Sequence, residues 1–165
     1  MAVVAKLKRK IQQFAGKGLL YLPPTAKNNY DIGFCMDVQV IPKNQIESLA
    51  FGKPEGIRVL IQSGANVISA ADFLYAGEKL KLSYLHHGKG LALLVSTLNK
   101  LEKKYQRTRN IYRAELIYFL LSAGTYVLIK SKSTCHYYHA APRKMTRISP
   151  EQLKRQVSEI LIHRE

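Results

Sequence analysis

The sequence predicts an α+β protein, with a small basic β-rich module over residues 1–45 and a mixed α/β domain over residues 46–165. Three observations predict it. Apolar and polar residues alternate in several short runs of the first half, the period of a half-buried strand. In the second half apolar residues recur at helical spacing. Hydrophobic residues make up 47% of the 165-residue chain, enough for a packed core and too many for a disordered basic tail. The length suits one ordinary domain or two small ones. The expected boundary is the polar stretch Pro42-Lys43-Asn44-Gln45, with a second soft point at Phe51-Gly52-Lys53-Pro54-Glu55-Gly56. No internal repeat or low-complexity tract is visible.

In chain order, Lys6 to Phe14 reads as a strand with Lys6, Lys8 and Lys10 on one face and Leu7 and Ile11 on the other. Leu19 to Leu22 reads as a second short strand, after which Pro23-Pro24 permits a short helix start. Met36 to Ile41 alternates again, and Ile57–Gln62 and Glu78–Leu85 are rich in β-branched or aliphatic residues, so all three are expected strands. Leu91, Leu94, Val95, Leu98, Leu101 and Tyr105 keep helical spacing, with Lys100, Lys103 and Lys104 outside that stripe. Ile111 to Leu121 is apolar on nearly every side and is expected as a buried helix, with Gly124 as the residue that stops it. Thr125–Lys130 and Cys135–Ala140 are expected strands joined by Ser131-Lys132-Ser133-Thr134. The last helix has the fullest signature: Ser149 as N-cap, Pro150 in the first turn and Gln152 three residues on form a capping box. Ile148 is placed to staple onto Leu153, and Leu153, Val157, Ile160 and Leu161 make its apolar stripe.

Charge gives the first functional lead. Lys and Arg number 26 against 11 Asp and Glu, a formal net charge of +15, and the pI is about 9.9. Such a charge repels itself in the compact state unless a polyanion offsets it. Nucleic acid is therefore the leading partner class and an anionic membrane surface the second. The two ends carry the excess: residues 1–45 hold seven basic and two acidic groups, residues 101–165 thirteen and five. Two cysteines, Cys35 and Cys135, make no disulfide framework, and no apolar run reaches signal-peptide or membrane-span length. A soluble, cytoplasmic protein is the expectation.

The first 41 residues hold a longer pattern. A basic strand leads to Gly16-Lys17-Gly18, then to Leu19-Leu20-Tyr21-Leu22-Pro23, then to a short helical stretch ending at Tyr30 and Ile32, then to Asp37-Val38-Gln39-Val40. This order resembles the SpoVT/AbrB swapped-hairpin DNA-binding family, with Ala26, Tyr30 and Ile32 at its three spaced apolar positions. The chain departs from the family where Gly33-Phe34-Cys35-Met36-Asp37 stands for a Pro-Gly-Asp turn, where Tyr30 replaces a leucine and where Asp31 replaces a frequent glycine. The resemblance implies a homodimer of interleaved hairpins, because a module of this size cannot bury its apolar faces alone. It also implies that the first strand and glycine turn face double-stranded DNA, with Lys6, Lys8, Lys10 and Lys17 on phosphates and Arg9 as the candidate for reading guanine edges.

A second basic region runs from Lys100 to Arg113, where Lys103, Lys104, Arg107, Arg109 and Arg113 interleave with Tyr105 and Tyr112. Two helices followed by a strand–turn–strand resemble the order of a winged helix with Lys130 and Lys132 on the wing, although Ile111–Leu121 is too apolar for an exposed recognition helix. Cys135-His136-Tyr137-Tyr138-His139 lacks a second ligand pair for zinc, and strand alternation turns His136 away from Cys135 and His139. His86-His87-Gly88-Lys89-Gly90 opens a helix but lacks the phosphate-loop spacing. Acids are scarce and Glu115 has no carboxylate–lysine partner motif, so no catalytic or metal site and no cofactor is expected. The leading expectation is a homodimeric DNA-binding protein, a transcriptional regulator or nucleoid-type protein acting through phosphate contacts. An RNA-associated structural protein, ribosomal or a viral nucleoprotein accessory, is the alternative, and a basic matrix-like protein apposed to membrane the third.

Overall fold

The computed structural model describes residues 2–17, 29–41, 46, 48, 53–77, 79–108, 112–119, 124–142 and 144–162. In chain order these form α1 (Ala2–Gly16), β1 (Asp31–Ile41), β2 (Gly56–Ser63), β3 (Asn66–Ala76), β4 (Lys79–His86), α2 (Lys89–Tyr105), β5 (Arg113–Phe119), β6 (Thr125–Lys130), β7 (Cys135–Ala141), β8 (Lys144–Ile148) and α3 (Pro150–Ile162). The strands make one eight-stranded sheet in the order β4-β3-β2-β1-β5-β6-β7-β8. It is mixed: β1 and β5 run parallel, whereas β3–β4 and the meander β5 to β8 are antiparallel. The class is α+β, as expected. A run of four strands closed by a helix occurs twice, β1–β4 with α2 and β5–β8 with α3, although no repeat is legible in the residues.

The chain divides into two compact units, residues 1–35 with 57–91, and residues 36–56 with 92–165. This differs from the expected division at residue 45, because β1 contributes its first five residues to one unit and the rest to the other.

In the first unit α1 is a correction. Lys6–Phe14 is helical, and its apolar side, Leu7, Ile11 and Ala15, packs on Ile57, Val59 and Ile61 of β2, Ala71 and Phe73 of β3 and Leu80 of β4. The segment Lys-Leu-Lys-Arg-Lys-Ile fits a period of two or of 3.6. The four-residue spacing of Leu7 and Ile11, which puts both on one helical face over this core, decides it. Lys6 and Lys10 now lie one turn apart, while Lys8 is on the other side, where its Nζ meets Asp31 Oδ1 at 2.8 Å. The chain then enters β1 at Asp31 and runs unbroken to Ile41, with Tyr30, Ile32 and Cys35 packed against the same core. The expected turn over Gly33–Asp37 is therefore strand. A Cβ at Gly33 would come to 2.5 Å from Gln62 Oε1, so a larger residue there would require the end of the Gln62 side chain to swing aside. A helix thus stands in place of the expected first strand and a strand in place of the expected turn. The expected strand at Leu19–Leu22, the Pro23-Pro24 helix start and the linker Pro42–Gln45 lie outside the described residues.

The β2–β3 turn is Gly64-Ala65, with Gly64 at a φ of 58°, the left-handed conformation that a two-residue hairpin needs. β3 was not among the expected strands; its segment Ser69-Ala70-Ala71-Asp72 holds only small or polar residues, yet all four are buried. In the β3–β4 ladder Asp72 pairs with Tyr84 but Phe73 pairs with Leu82, so Ser83 is an extra residue in a β-bulge.

In the second unit the sheet is covered on both faces. Leu153 and Val157 of α3 pack with Ile41, Ile117, Tyr126, Leu128, Tyr137 and Ile148 on one face. Tyr105, at the end of α2, meets Tyr138 on the other. The cap of α3 is as expected: Ser149 N–H donates to Gln152 Oε1 at 2.9 Å and Gln152 N–H donates to Ser149 Oγ at 3.2 Å. Ile111–Leu121 is the second correction, being strand β5 over Arg113–Phe119. A continuous apolar run fits a strand whose two faces are both buried as well as it fits a buried helix. Without that helix the winged-helix order disappears, and Gly124 instead precedes β6, where a Cβ would approach the Tyr126 ring to 2.6 Å.

Candidate nucleic-acid interface

The cations singled out between Lys103 and Lys132 lie in the second unit, which also holds a cluster of rings. Tyr105 is the hub. Its ring centroid lies 4.4 Å from that of Tyr112, just before β5, and 5.9 Å from His136 on β7. Its hydroxyl is 2.7 Å from that of Tyr138. Burial, reinforced by this hydrogen bond, pushes the Tyr105 phenol well above the ordinary range, so it stays protonated. The chain leaves α2 through a tight turn in which Thr108 N–H and Thr108 Oγ1 both donate to the Tyr105 carbonyl, at 3.0 and 2.8 Å.

Around this hub stand Lys103 and Lys104 in the last turn of α2, where they also oppose the negative end of the helix dipole. Lys104 Nζ sits 5.1 Å above the Tyr138 ring and 5.9 Å from that of Tyr105. Arg107 is exposed in the turn after α2. Arg113 and Lys130 are cross-strand partners on β5 and β6. Lys132 is exposed on the β6–β7 connection, which Ser131 ties to Thr134 through a hydroxyl pair at 2.8 Å and a backbone bond at 2.9 Å. Arg147, the cross-strand partner of Tyr138, adds a cation that the sequence reading did not select. Its presence registers on His136, whose imidazole is pushed below its ordinary value by burial and then by Arg147 and Lys104. Arg109 lies outside the described residues.

Two of these cations also serve the interior. Asp37 and Glu115 are register partners on the parallel strands β1 and β5, and both are buried. Arg113 pairs with Asp37 while remaining 66% exposed, and Lys130 Nζ is 4.0 Å from Glu115 Oε1. Gln39 Nε2 donates to Glu115 Oε2 at 3.2 Å. Burial raises the Asp37 carboxyl, Arg113 opposes that rise and Glu115 adds to it. Among the described residues no carboxylate pairs with Lys103, Lys104, Arg107 or Lys132, so those four present undivided charge.

Compared with known proteins, the chain matches no family model, no curated protein and no solved structure.

The N-terminal cations stand in the first unit. Lys6, Arg9 and Lys17 are exposed on and after α1, Lys10 is half-buried and Lys8 is paired with Asp31. That unit also holds a network the sequence reading missed. Arg58 on β2 donates to both oxygens of Asp72 on β3, at 2.6 and 2.7 Å, and His86 Nε2 lies 2.7 Å from Asp72 Oδ2 and against the Arg58 guanidinium. Burial alone would raise the Asp72 carboxyl, but the hydrogen bonds from Arg58 and His86 outweigh it and hold it below the ordinary value. The signal was one basic residue inside Ile-Arg-Val-Leu-Ile and one acid inside Ala-Ala-Asp-Phe, lone opposite charges in strands that prove to be neighbours. Among the described residues no group of three or more His, Cys, Asp or Glu side chains is arranged to hold a metal ion. No described helix is long and apolar enough to cross a membrane. Cys35 and Cys135 are both free thiols.

Proposed function

We propose that this protein binds nucleic acid inside the cell, through the cationic end of its second unit and chiefly by neutralising phosphates. The observation that carries the reading is that Lys103, Lys104, Arg107 and Lys132 are all exposed and paired with no described carboxylate, with Lys104 set over the Tyr105 and Tyr138 rings. Lysines on flexible stems contact phosphate as point charges, and Arg107 adds a planar fork for the same oxygens. Such contacts position a protein on DNA or RNA without reading sequence. The Lys6–Lys17 cations of α1 add to the long-range field of a chain carrying +15.

The test is a salt titration of binding to duplex DNA, single-stranded DNA and RNA of equal length, with the full chain. Replacing Lys103, Lys104, Arg107 and Lys132 together by alanine is expected to flatten the slope of log K against log salt on duplex by up to about 3.6, at roughly 0.9 per phosphate contact. An unchanged slope, or retention on anionic vesicles with none on any nucleic acid, overturns the reading.

A further inference from the structure

The outer side of the β3–β4 hairpin has a composition that packing does not explain. Leu80, Leu82 and Leu85 of β4 all face the core under α1, yet they are spaced two and then three residues apart. The bulge at Ser83 supplies the missing step. Had β4 kept a strict period of two, Tyr84 and His86 would follow Leu80 and Leu82 inward. Instead cross-strand pairing puts Tyr84 beside Asp72 and His86 beside Ala70, on the same side as the Leu74–Lys81 and Ala76–Lys79 pairs. Bulges of this kind re-aim side chains.

What they re-aim here is a ring. Tyr84 is 63% exposed, the most exposed large hydrophobic side chain described, and Leu74 beside it is exposed as well. The Tyr84 ring lies 4.7 Å from that of His86, tilted by 51°, and most of the side chain is left to solvent. His86 is fixed by Asp72, and Asp72 by the two hydrogen bonds from Arg58, with Arg58 and Asp72 only 5% and 8% exposed. Lys79 and Lys81 are exposed on the same face, two residues or about 7 Å apart along the strand. β4 is the end strand of the sheet.

We infer that this face is a stacking platform for an unpaired nucleobase, with Tyr84 as the ring that takes the base and Lys79 and Lys81 on the flanking phosphates. An exposed aromatic beside cations on a sheet surface complements a single strand, whose bases offer free π-faces. A duplex keeps its bases stacked on one another and offers Tyr84 none. The inference rests on the nucleic-acid reading and adds to it a separate site for single-stranded segments.

Fluorescence anisotropy with the full-length protein tests it on three labelled probes: oligothymidylate, a strand of the same length with abasic sugars, and a duplex. Tyr84→Ala is expected to weaken oligothymidylate binding at least about 5-fold, the lower end for losing one stacked base, and to leave the abasic strand and duplex unchanged. Tyr84→Phe is expected to keep wild-type affinity, since stacking needs the ring and not the hydroxyl. Lys79→Ala with Lys81→Ala is expected to weaken both single strands and flatten their salt slope by up to about 1.4. Equal binding of oligothymidylate by Y84A and wild type overturns the platform, as does equal weakening on the abasic strand. If the Lys103/Lys104/Arg107/Lys132 variant loses affinity while Y84A does not, nucleic-acid binding stands and the platform falls. If the wild type retains none of the three probes, both fall.

Discussion

Replacing Asp72 by Asn keeps shape and removes one charge, and the surroundings set the consequence. Arg58 is almost fully buried, and its guanidinium spends two hydrogen bonds, at 2.6 and 2.7 Å, on the Asp72 carboxylate. An amide can accept one of them, presents an N–H toward the other donor, and leaves the positive charge uncompensated in the sheet. Breaking a buried pair from one side costs about 3–5 kcal/mol. For a chain of this size that lowers the melting temperature by roughly 6–20 °C. The measurement is thermal and urea unfolding followed by far-ultraviolet circular dichroism at pH 7, with Arg58→Met/Asp72→Asn alongside. The double variant removes the orphaned charge and is expected to recover at least about 1 kcal/mol of what D72N alone loses. The same network sets an acid limit. A carboxyl held below its ordinary value stabilises the fold fully above the unfolded value of 3.8, and that contribution is lost as pH falls below it. A loss under about 1 kcal/mol for D72N, the scale of an exposed ion pair, would refute the argument, because the guanidinium would then have to be reaching water.

Two further outcomes probe the corrected elements and the second buried acid. Leu7→Ala is expected to cost about 2–5 kcal/mol in urea unfolding, since Leu7 is buried against β2, β3 and β4; a change within 0.5 kcal/mol, roughly that of a surface substitution, would return the N-terminus to a dispensable basic arm. Asp37→Asn is expected to leave stability at pH 7 within about 1 kcal/mol of wild type or to raise it, because burial already disfavours the charged carboxylate and its partner Arg113 is largely solvated. The sign opposes that of Asp72: with its folded value raised, Asp37 withdraws stability as pH climbs from 3.8 through that higher value, and D37N is expected to remove this component from the pH–stability curve.

What was legible in the residues was local. The capping box of Ser149 and Gln152, the Leu91–Tyr105 stripe and the hairpin Thr125–Ala140 each carry start, stop and period within a dozen or so residues, and the structure has them where the sequence reading placed them. The misreadings occurred where one string fits two periods. Lys6–Phe14 alternates like a strand but buries Leu7 and Ile11 as a helix, and Ile111–Leu121 is apolar enough for either. β3 and β8 were missed because Ala70-Ala71-Asp72 and Lys144-Met145-Thr146-Arg147 carry weak strand signals, and neighbouring strands supply what the residues lack. The charges of the candidate interface were legible one by one. The ring cluster that Lys104 overlies was not, since it depends on Tyr105 meeting His136 and Tyr138 across more than thirty residues of chain.

The bulge at Ser83 leaves β4 with one residue that its alternation of faces does not need. Ser83 is exposed and stands opposite no residue of β3, so many substitutions there should be silent. Deleting that one position would make Leu82 and Tyr84 successive members of the ladder, with Leu85 still toward the core and Tyr84 and His86 still on the outer side; inserting one residue into the regular part of the strand would instead swap the faces of all that follow. Relatives of this protein should therefore tolerate a lost residue here and nowhere else in β4.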